Sequence, residues 1–155
     1  MDLYLVRHAI AEEHRMDLPD ADRQLTQRGR ERFDRVVATL GRAEVAFDRV
    51  YHSPWRRAVQ TAELLAPINQ GDRIATDGLA QNPTADFFRS LEGERVACVG
   101  HEPWMSDAVA LLAAGDDDGS WLRFKKGGVA WLQGLPGTGT MELAGFWAPK
   151  LLLSV

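Results

Sequence analysis

The first residues of the chain that could carry chemistry are an arginine and a histidine that directly follow a short apolar run. Residues 3–6, L-Y-L-V, have the composition of a buried strand, and Arg7 and His8 come immediately after it. Open α/β sheets bind their ligands at the carboxyl ends of strands, so this position would deliver both side chains to a site. Arginine donates paired hydrogen bonds to phosphate, and a neutral imidazole nitrogen is a competent nucleophile. The pair therefore predicts that His8 attacks a phosphoryl group that Arg7 binds.

Two later segments place a histidine at the end of a predicted strand and two arginines at the start of a predicted helix. Residues 95–100 form a near-continuous apolar run, typical of a central parallel strand, and His101 follows it. Arg56 and Arg57 lie in the first turn of a predicted helix, where the positive end of the helix dipole attracts anions. Because these two arginines point in different directions around the helix, we expect one to face the site and the other to face solvent.

Composition indicates a single domain spanning residues 1–155, with 45% hydrophobic and 26% charged residues. A net charge of −4, from 18 basic and 22 acidic residues, argues against nucleic acid as a partner. The single cysteine, Cys98, excludes an internal disulfide framework and a cysteine-based zinc site. No apolar run reaches membrane-spanning length, and Asp2 precedes the first apolar run, so we expect no membrane association and a cytoplasmic protein.

The elements that must position these groups alternate between strands and helices. Predicted strands cover 3–6, 47–52, a short segment near Ile74, 95–100, and two final segments joined by a turn at 136–139. The first predicted helix is capped by Thr26 and runs to about Leu40, with Gly41 as its stop. The second runs from 55 to about Ala66, with Ala66 packed inward. Two more are predicted, from 82–84 to about Leu91 and from 104 to 114. Residues 10–25 are predicted as a loop, and 69–72 as a turn. This order predicts a three-layer α/β/α sandwich with a mostly parallel central sheet and an antiparallel edge.

Four motifs together resemble the histidine phosphatase superfamily, and within it the SixA-type phosphohistidine phosphatases. They are L-V-R-H-A at 5–9, D-R-Q-L-T-Q-R-G at 22–29, S-P-W-R-R-A-V-Q-T-A-E at 53–63 and V-G-H-E-P at 99–103. The resemblance implies a phosphoglycerate mutase-like fold, with His8 becoming phosphorylated. It also implies that Arg7, Arg57 and His101 complete the phosphate pocket, and the motif register selects Arg57 over Arg56.

The sequence departs from the family pattern at two points. Ala9 stands where the family usually has glycine after the Arg-His pair. Many members carry an acidic proton donor in the segment that corresponds to about 77–86; here Asp77 and Asp86 are the candidates, and neither lies in a matching motif. His14, in the loop after the first strand, is a further candidate for contact with a bound anion, with an exposed loop histidine as the alternative.

The resemblance implies a phosphatase that works through a phosphohistidine intermediate and requires no metal or other cofactor. Its implied substrate is a phosphohistidine protein, such as a phosphorelay domain. Two alternatives stay open: a phosphatase for small phosphorylated substrates such as sugar phosphates or nucleotides, and a noncatalytic module that senses phosphorylated partners. A mutase is disfavoured because it must shield its intermediate from water, and a metallohydrolase because no carboxylate pattern accompanies the histidines.

Overall fold

Six strands form one mixed sheet in the computed structural model of the chain, which describes residues 1–154. The strands are β1 (Asp2–Arg7), β2 (Phe47–His52), β3 (Asn69–Ala75), β4 (Arg95–Gly100), β5 (Val129–Gln133) and β6 (Glu142–Trp147), in the order β3-β2-β4-β1-β5-β6. The helices are α1 (Gln27–Arg42), α2 (Arg56–Leu64), α3 (Ala85–Arg89), α4 (Trp104–Ala114) and α5 (Pro149–Leu152), with 3-10 turns at Asp20–Asp22, Ala66–Ile68 and Asp77–Leu79. Strands β1 to β4 pair in parallel, whereas β5 and β6 form the antiparallel edge, as predicted.

Helices cover both faces of the sheet and make it the middle of three layers. Side chains alternate across a strand, so β1 contributes to two cores. Tyr4 and Val6 belong to the core against α1, α2 and α5, whereas Leu3 and Leu5 belong to the core against α3 and α4. Burial of β1 on both faces explains its continuous apolar sequence.

The register of the central strands brings three strand ends together. β1 and β4 are parallel neighbours with Arg7 opposite Gly100, and the His8 N–H donates to the Gly100 carbonyl oxygen at 3.0 Å. β2 lies on the other side of β4, and the N–H of Ser53, just after it, donates to the Val99 carbonyl oxygen at 3.0 Å. The residues that follow β1, β2 and β4 therefore share one edge of the sheet.

A close contact at the start of α1 fixes the path of the loop after β1. The predicted cap is present: Thr26 Oγ1 accepts from the Gly29 N–H at 2.9 Å. A Cβ atom on Gly29 would lie 2.1 Å from the Ile10 carbonyl oxygen, so only glycine permits this approach. The same carbonyl accepts from the Thr26 N–H at 3.0 Å, which ties the loop to the helix.

The prediction that Gly41 ends α1 is wrong. The helix continues through Gly41 to Arg42, since the Ala43 N–H still donates to the Thr39 carbonyl oxygen at 3.1 Å. The left-handed backbone that often follows a helix is found instead at Glu44, with φ of 61°.

Two further helices end earlier than predicted. α2 ends at Leu64, because Pro67 has no N–H to continue the hydrogen-bond ladder, and Ala66 is exposed in a 3-10 turn instead of packing inward. α3 ends at Arg89 instead of near Leu91, before the chain turns into β4.

The predicted turn at 69–72 is also wrong, since these residues open strand β3. Their pairing with β2 includes an irregularity between Phe47 and Arg49. A Cβ atom on Gly71 would lie 1.9 Å from the Asp48 carbonyl oxygen, so the glycine lets the two strands approach. Strand pairing here overrides the turn propensity of Asn, Gly and Asp.

Cys98 is a free cysteine buried in the core beside α4, and this burial raises the pKa of its thiol.

Among the helices within residues 1–154, none combines the length and the apolar character needed to cross a membrane.

Candidate active site

A cavity of about 480 Å³ opens where β1, β2 and β4 end. It brings together the four groups predicted from the sequence: Arg7, His8, Arg57 and His101. The rest of its wall consists of Asp20, Arg23, Trp55, Ala80, Asn82, Glu102, Pro103, Trp104 and Lys126.

The His8 ring is held in one tautomer. Its Nδ1 lies 2.7 Å from the Ala9 carbonyl oxygen, which can only accept a hydrogen bond, so Nδ1 carries the proton. Its Nε2 therefore presents a lone pair, which accepts from the Arg57 Nε–H at 3.3 Å. Nε2 is the atom of this ring that could attack a phosphorus atom.

Both histidines of the cavity are neutral in the folded protein at physiological pH. Burial lowers the pKa of His8 to about 3; the hydrogen bond to Ala9 opposes this shift, and the neighbouring cations add to it. Burial likewise lowers the pKa of His101 to about 4, with Arg57 contributing in the same direction. A neutral His8 keeps its nucleophilic lone pair without needing a base to remove a proton.

Each of the three guanidinium nitrogens of Arg57 makes a hydrogen bond, and together these hold the side chain beside His8. Its Nη1 donates to the Asp20 carbonyl oxygen at 2.7 Å, and its Nη2 lies 3.1 Å from Asp20 Oδ2. The guanidinium carbon lies 4.8 Å from the centre of the Trp55 ring. Only 4% of Arg57 is exposed, whereas Arg56 is exposed to solvent. As predicted, one arginine faces the cavity and the other faces solvent.

Two side chains one turn further along α2 fix its position. Thr61 Oγ1 accepts from the Ala9 N–H at 3.0 Å and donates to the Arg57 carbonyl oxygen at 2.7 Å. Gln60 Oε1 accepts from the Leu25 N–H at 2.7 Å. Gln60 and Thr61, which follow Arg57 in the motif, thus hold α2 against the end of β1 and the loop after it. Ala9 has no positive φ, so alanine fits there without backbone strain.

Ser53 orients the second histidine. Its Oγ accepts from the Trp55 N–H at 3.2 Å and lies 2.8 Å from His101 Nε2, to which it can donate its own proton. When Ser53 donates in this way, the ring proton of His101 lies on Nδ1, which is buried and has no hydrogen-bond partner within residues 1–154. His8 and His101 have ring centres 5.4 Å apart. His101 could therefore donate to a phosphoryl oxygen held against His8.

Further cations surround this pair of histidines. Arg7 Nη1 donates to the Phe124 carbonyl oxygen at 2.5 Å, while its buried Nε has no partner in the described part of the chain. Arg23 donates to the Glu12 carbonyl oxygen at 2.7 Å. Burial lowers the pKa of Lys126, and repulsion from the arginines of the cavity lowers it further. The arrangement can hold a dianionic phosphoryl group by charge and hydrogen bonding.

Neither predicted proton donor lies in the cavity. Asp77 is exposed at the start of a 3-10 turn, and Asp86 is exposed on α3, with its Oδ1 3.4 Å from Arg89 Nη1. The structure does not bring His14 to the cavity either: it is exposed in the loop after β1, away from the cavity wall.

The carboxylates that line the cavity, Asp20 and Glu102, are already engaged. Partial burial opposes ionisation of Asp20, but Arg57 and Arg23 outweigh it and hold the pKa of Asp20 below its ordinary value. The two oxygens of Glu102 accept from the N–H and the hydroxyl of Ser106, at 2.9 and 2.7 Å.

Sequence reasoning gave no role to several residues that build the site. Ser53, Gln60 and Thr61 lie within the quoted motif at 53–63, so the motif could have identified them. Asp20 and Lys126 lie outside the motifs, and no local signal marked them.

No group of three or more His, Cys, Asp or Glu side chains within residues 1–154 has an arrangement that could hold a metal ion.

Comparisons with known proteins show which family and which proteins this chain resembles. A model of the histidine phosphatase superfamily (branch 1) matches residues 3–82. An uncharacterized protein of Picosynechococcus sp. (strain PCC 7002) is 31% identical over 141 residues, and the match covers 86% of this chain and 85% of that protein.

Two solved structures show the same fold. The protein histidine phosphatase SixA, complexed with tungstate, matches with a TM-score of 0.84 at 22% identity, over 98% of this chain and 99% of that chain. A phosphoserine phosphatase from Entamoeba histolytica, in complex with 3-phosphoglyceric acid, matches with a TM-score of 0.73 at 16% identity, over 98% and 99%. The predicted phosphoglycerate mutase-like fold is confirmed.

The low pKa of His8 leads to a first prediction. In the folded protein His8 should stay neutral, with its proton on Nδ1, at pH 5, where an unperturbed histidine with pKa near 6.5 would be mostly charged. Nitrogen NMR shifts of the assigned ring report both the charge and the tautomer, and the urea-unfolded protein is the control.

The same shift predicts how stability depends on pH. Below about pH 6.5, His8 binds a proton in the unfolded chain but stays neutral in the folded protein, so the free energy of unfolding should fall as the pH decreases. Protonation of His8 between pH 6 and 7 would contradict this account.

The division between the two adjacent arginines gives a second prediction. Arg57→Ala should lower kcat/KM by roughly 30-fold to 1,000-fold, about 2–4 kcal/mol, because it removes a charge beside the reacting phosphoryl group. Arg56→Ala is the matched control and should stay within about threefold of wild type, since its side chain faces solvent. Steady-state assays on an aryl phosphate measure both variants. Equal losses in the two would show that Arg57 has no special position.

Proposed function

The chain belongs to the histidine phosphatase superfamily and is a phosphatase; from that premise, we propose that it hydrolyses phosphohistidine in proteins through a phosphoryl intermediate on His8. The fold it shares with the protein histidine phosphatase SixA is consistent with this substrate.

In the proposed first step, the Arg57 Nε–H turns from His8 Nε2 to a phosphoryl oxygen, which frees the Nε2 lone pair. That lone pair attacks phosphorus while the bond from phosphorus to the substrate imidazole breaks. Arg7, Arg57 and His101 Nδ1–H bind the phosphoryl oxygens and stabilise their charge in the transition state. The Nδ1 proton of His8 stays hydrogen-bonded to Ala9. In the second step, water attacks phosphorus as the bond from Nε2 to phosphorus breaks and its electron pair returns to Nε2. The protons of the water leave with the phosphate product or pass to solvent, and neutral His8 is regenerated.

The observation that carries the proposal is that neither carboxylate of the cavity is placed to give a proton to a leaving group. Asp20 is ionised in its ion pair with Arg57, and Glu102 accepts two hydrogen bonds from Ser106. An alkoxide needs a proton as its bond to phosphorus breaks. The imidazole of phosphohistidine can leave as a neutral ring when its other nitrogen already carries a proton, so this substrate needs no strong general acid.

We also propose that the reaction needs no metal ion. In many phosphoryl-transfer enzymes Mg²⁺ neutralises the charge on the phosphoryl oxygens. Here Arg7, Arg57 and Lys126 bring fixed positive charge to the same cavity, which supports metal independence.

The proposal predicts an order of substrates. The value of kcat/KM should be highest for a phosphohistidine protein, lower for an aryl phosphate with its acidic leaving group, and lowest for a sugar phosphate. All three assays would be run with EDTA, and activity lost in the chelator and restored by a divalent ion would refute metal independence.

Aspartate variants separate this proposal from the alternative of a small-molecule phosphatase. Asp77→Asn and Asp86→Asn should change phosphohistidine turnover by less than about twofold, because neither side chain lies in the cavity. The alternative would hold if the sugar phosphate were the best substrate and one of these substitutions selectively abolished its turnover.

A further inference from the structure

A second cavity, of about 580 Å³, adjoins the candidate active site. Arg7 and Lys126 line both cavities, so the two are neighbours that share these side chains. The remaining lining residues are Ile10, Arg32, Lys125, Ala148, Pro149 and Lys150. We call this cavity the basic groove, because five of its eight lining residues carry positive charge and none carries negative charge.

The distribution of lysine along the chain makes the basic groove unusual. The sequence contains three lysines, Lys125, Lys126 and Lys150, and all three line this groove. Two lie just before β5 and the third lies in α5, so the fold brings them together from separate segments. In a chain with net charge −4, this concentration of positive charge lies next to the phosphate site.

The described part of the chain gives the groove cations little compensating charge, with Glu13 opposing the lowering of the Lys126 pKa. Within residues 1–154, none of Arg32, Lys125, Lys126 and Lys150 forms an ion pair with a carboxylate. The lysines are exposed, so carboxylates from another molecule can reach them. Like charges held together repel one another and oppose folding, so a binding partner that supplies negative charge would be attracted here.

The kind of cation indicates the kind of ligand. Arginine forms a rigid fork that matches one phosphate or carboxylate, whereas lysine is a point charge on a flexible stem. Three lysines spread along an open groove suit several separate carboxylates better than one compact anion. The wall of the active site formed by Asn82 and Trp104 leads instead into a cavity lined by Asp86, Asp107 and Asp117, so the surroundings of the site are electrostatically asymmetric.

We propose that the basic groove binds acidic side chains that flank the phosphohistidine of the substrate protein. This inference rests on the proposed function and adds to it the side from which the substrate approaches. The phosphoryl group enters the active site, while neighbouring Asp or Glu residues of the substrate lie along Lys125 and Lys150. The groove thereby gives the phosphatase a preference among phosphohistidine proteins that the phosphate site alone cannot give.

The test uses two phosphohistidine peptides of one sequence, with glutamates flanking the phosphohistidine in one and lysines in the other. Wild type should prefer the glutamate peptide, and Lys125→Glu/Lys150→Glu should raise its KM at least about tenfold with little change in kcat. The same variant should improve turnover of the lysine peptide, which a general structural defect would not do. Turnover of an aryl phosphate should change less than about threefold at 0.15 M salt, where charges are screened over about 8 Å.

The matched control is Arg28→Glu/Arg35→Glu, which makes the same change in net charge at exposed positions of α1 outside the groove. It should leave the preference between the two peptides unchanged. If the groove variant and this control behave alike, the docking inference is wrong while the proposed function stands. If wild type hydrolyses neither peptide but does hydrolyse the aryl phosphate, the proposed function fails, and the docking inference fails with it.

Discussion

The hydrogen bond from His8 Nδ1 to the Ala9 carbonyl oxygen is the constraint on which the rest of the site depends. It fixes the tautomer, burial keeps the ring neutral, and the lone pair of Nε2 is left for attack. The surrounding structure preserves this state. Thr61 ties the Ala9 backbone to α2, and the same helix carries Arg57 to Nε2, so one network positions both His8 and Arg57.

Charge placement explains how an acidic protein can offer a positively charged cavity to a phosphoryl group, as proposed. Asp20 carries the charge that balances Arg57, and in doing so it is lost as a proton donor. The cost of concentrating cations at the strand ends is thus offset locally, while Arg7 and Lys126 keep net positive charge beside His8. In the proposed mechanism, affinity for the phosphoryl group and the lack of a strong general acid are linked, because the carboxylates near the site hold other groups.

The sequence predicted those parts of the site whose position depends on local patterns. The buried runs that become β1 and β4 placed His8 and His101 at neighbouring strand ends, and the helix start after β2 placed Arg57. It could not predict contacts that only the tertiary fold creates. Asp20 lies in a loop without periodicity, and Lys126 reaches the site from the last third of the chain. Pairing with β2 likewise turned 69–72 from a predicted turn into a strand.

The most direct test of the central claim is to trap the phosphoryl group on the enzyme. Rapid quenching in alkali during turnover of a labelled phosphohistidine protein should yield enzyme that carries acid-labile phosphate, and peptide mapping should assign it to His8. His8→Ala should show neither the label nor turnover, because no other lone pair is held at that position. Label on another residue, or turnover that survives in His8→Ala, would contradict the account.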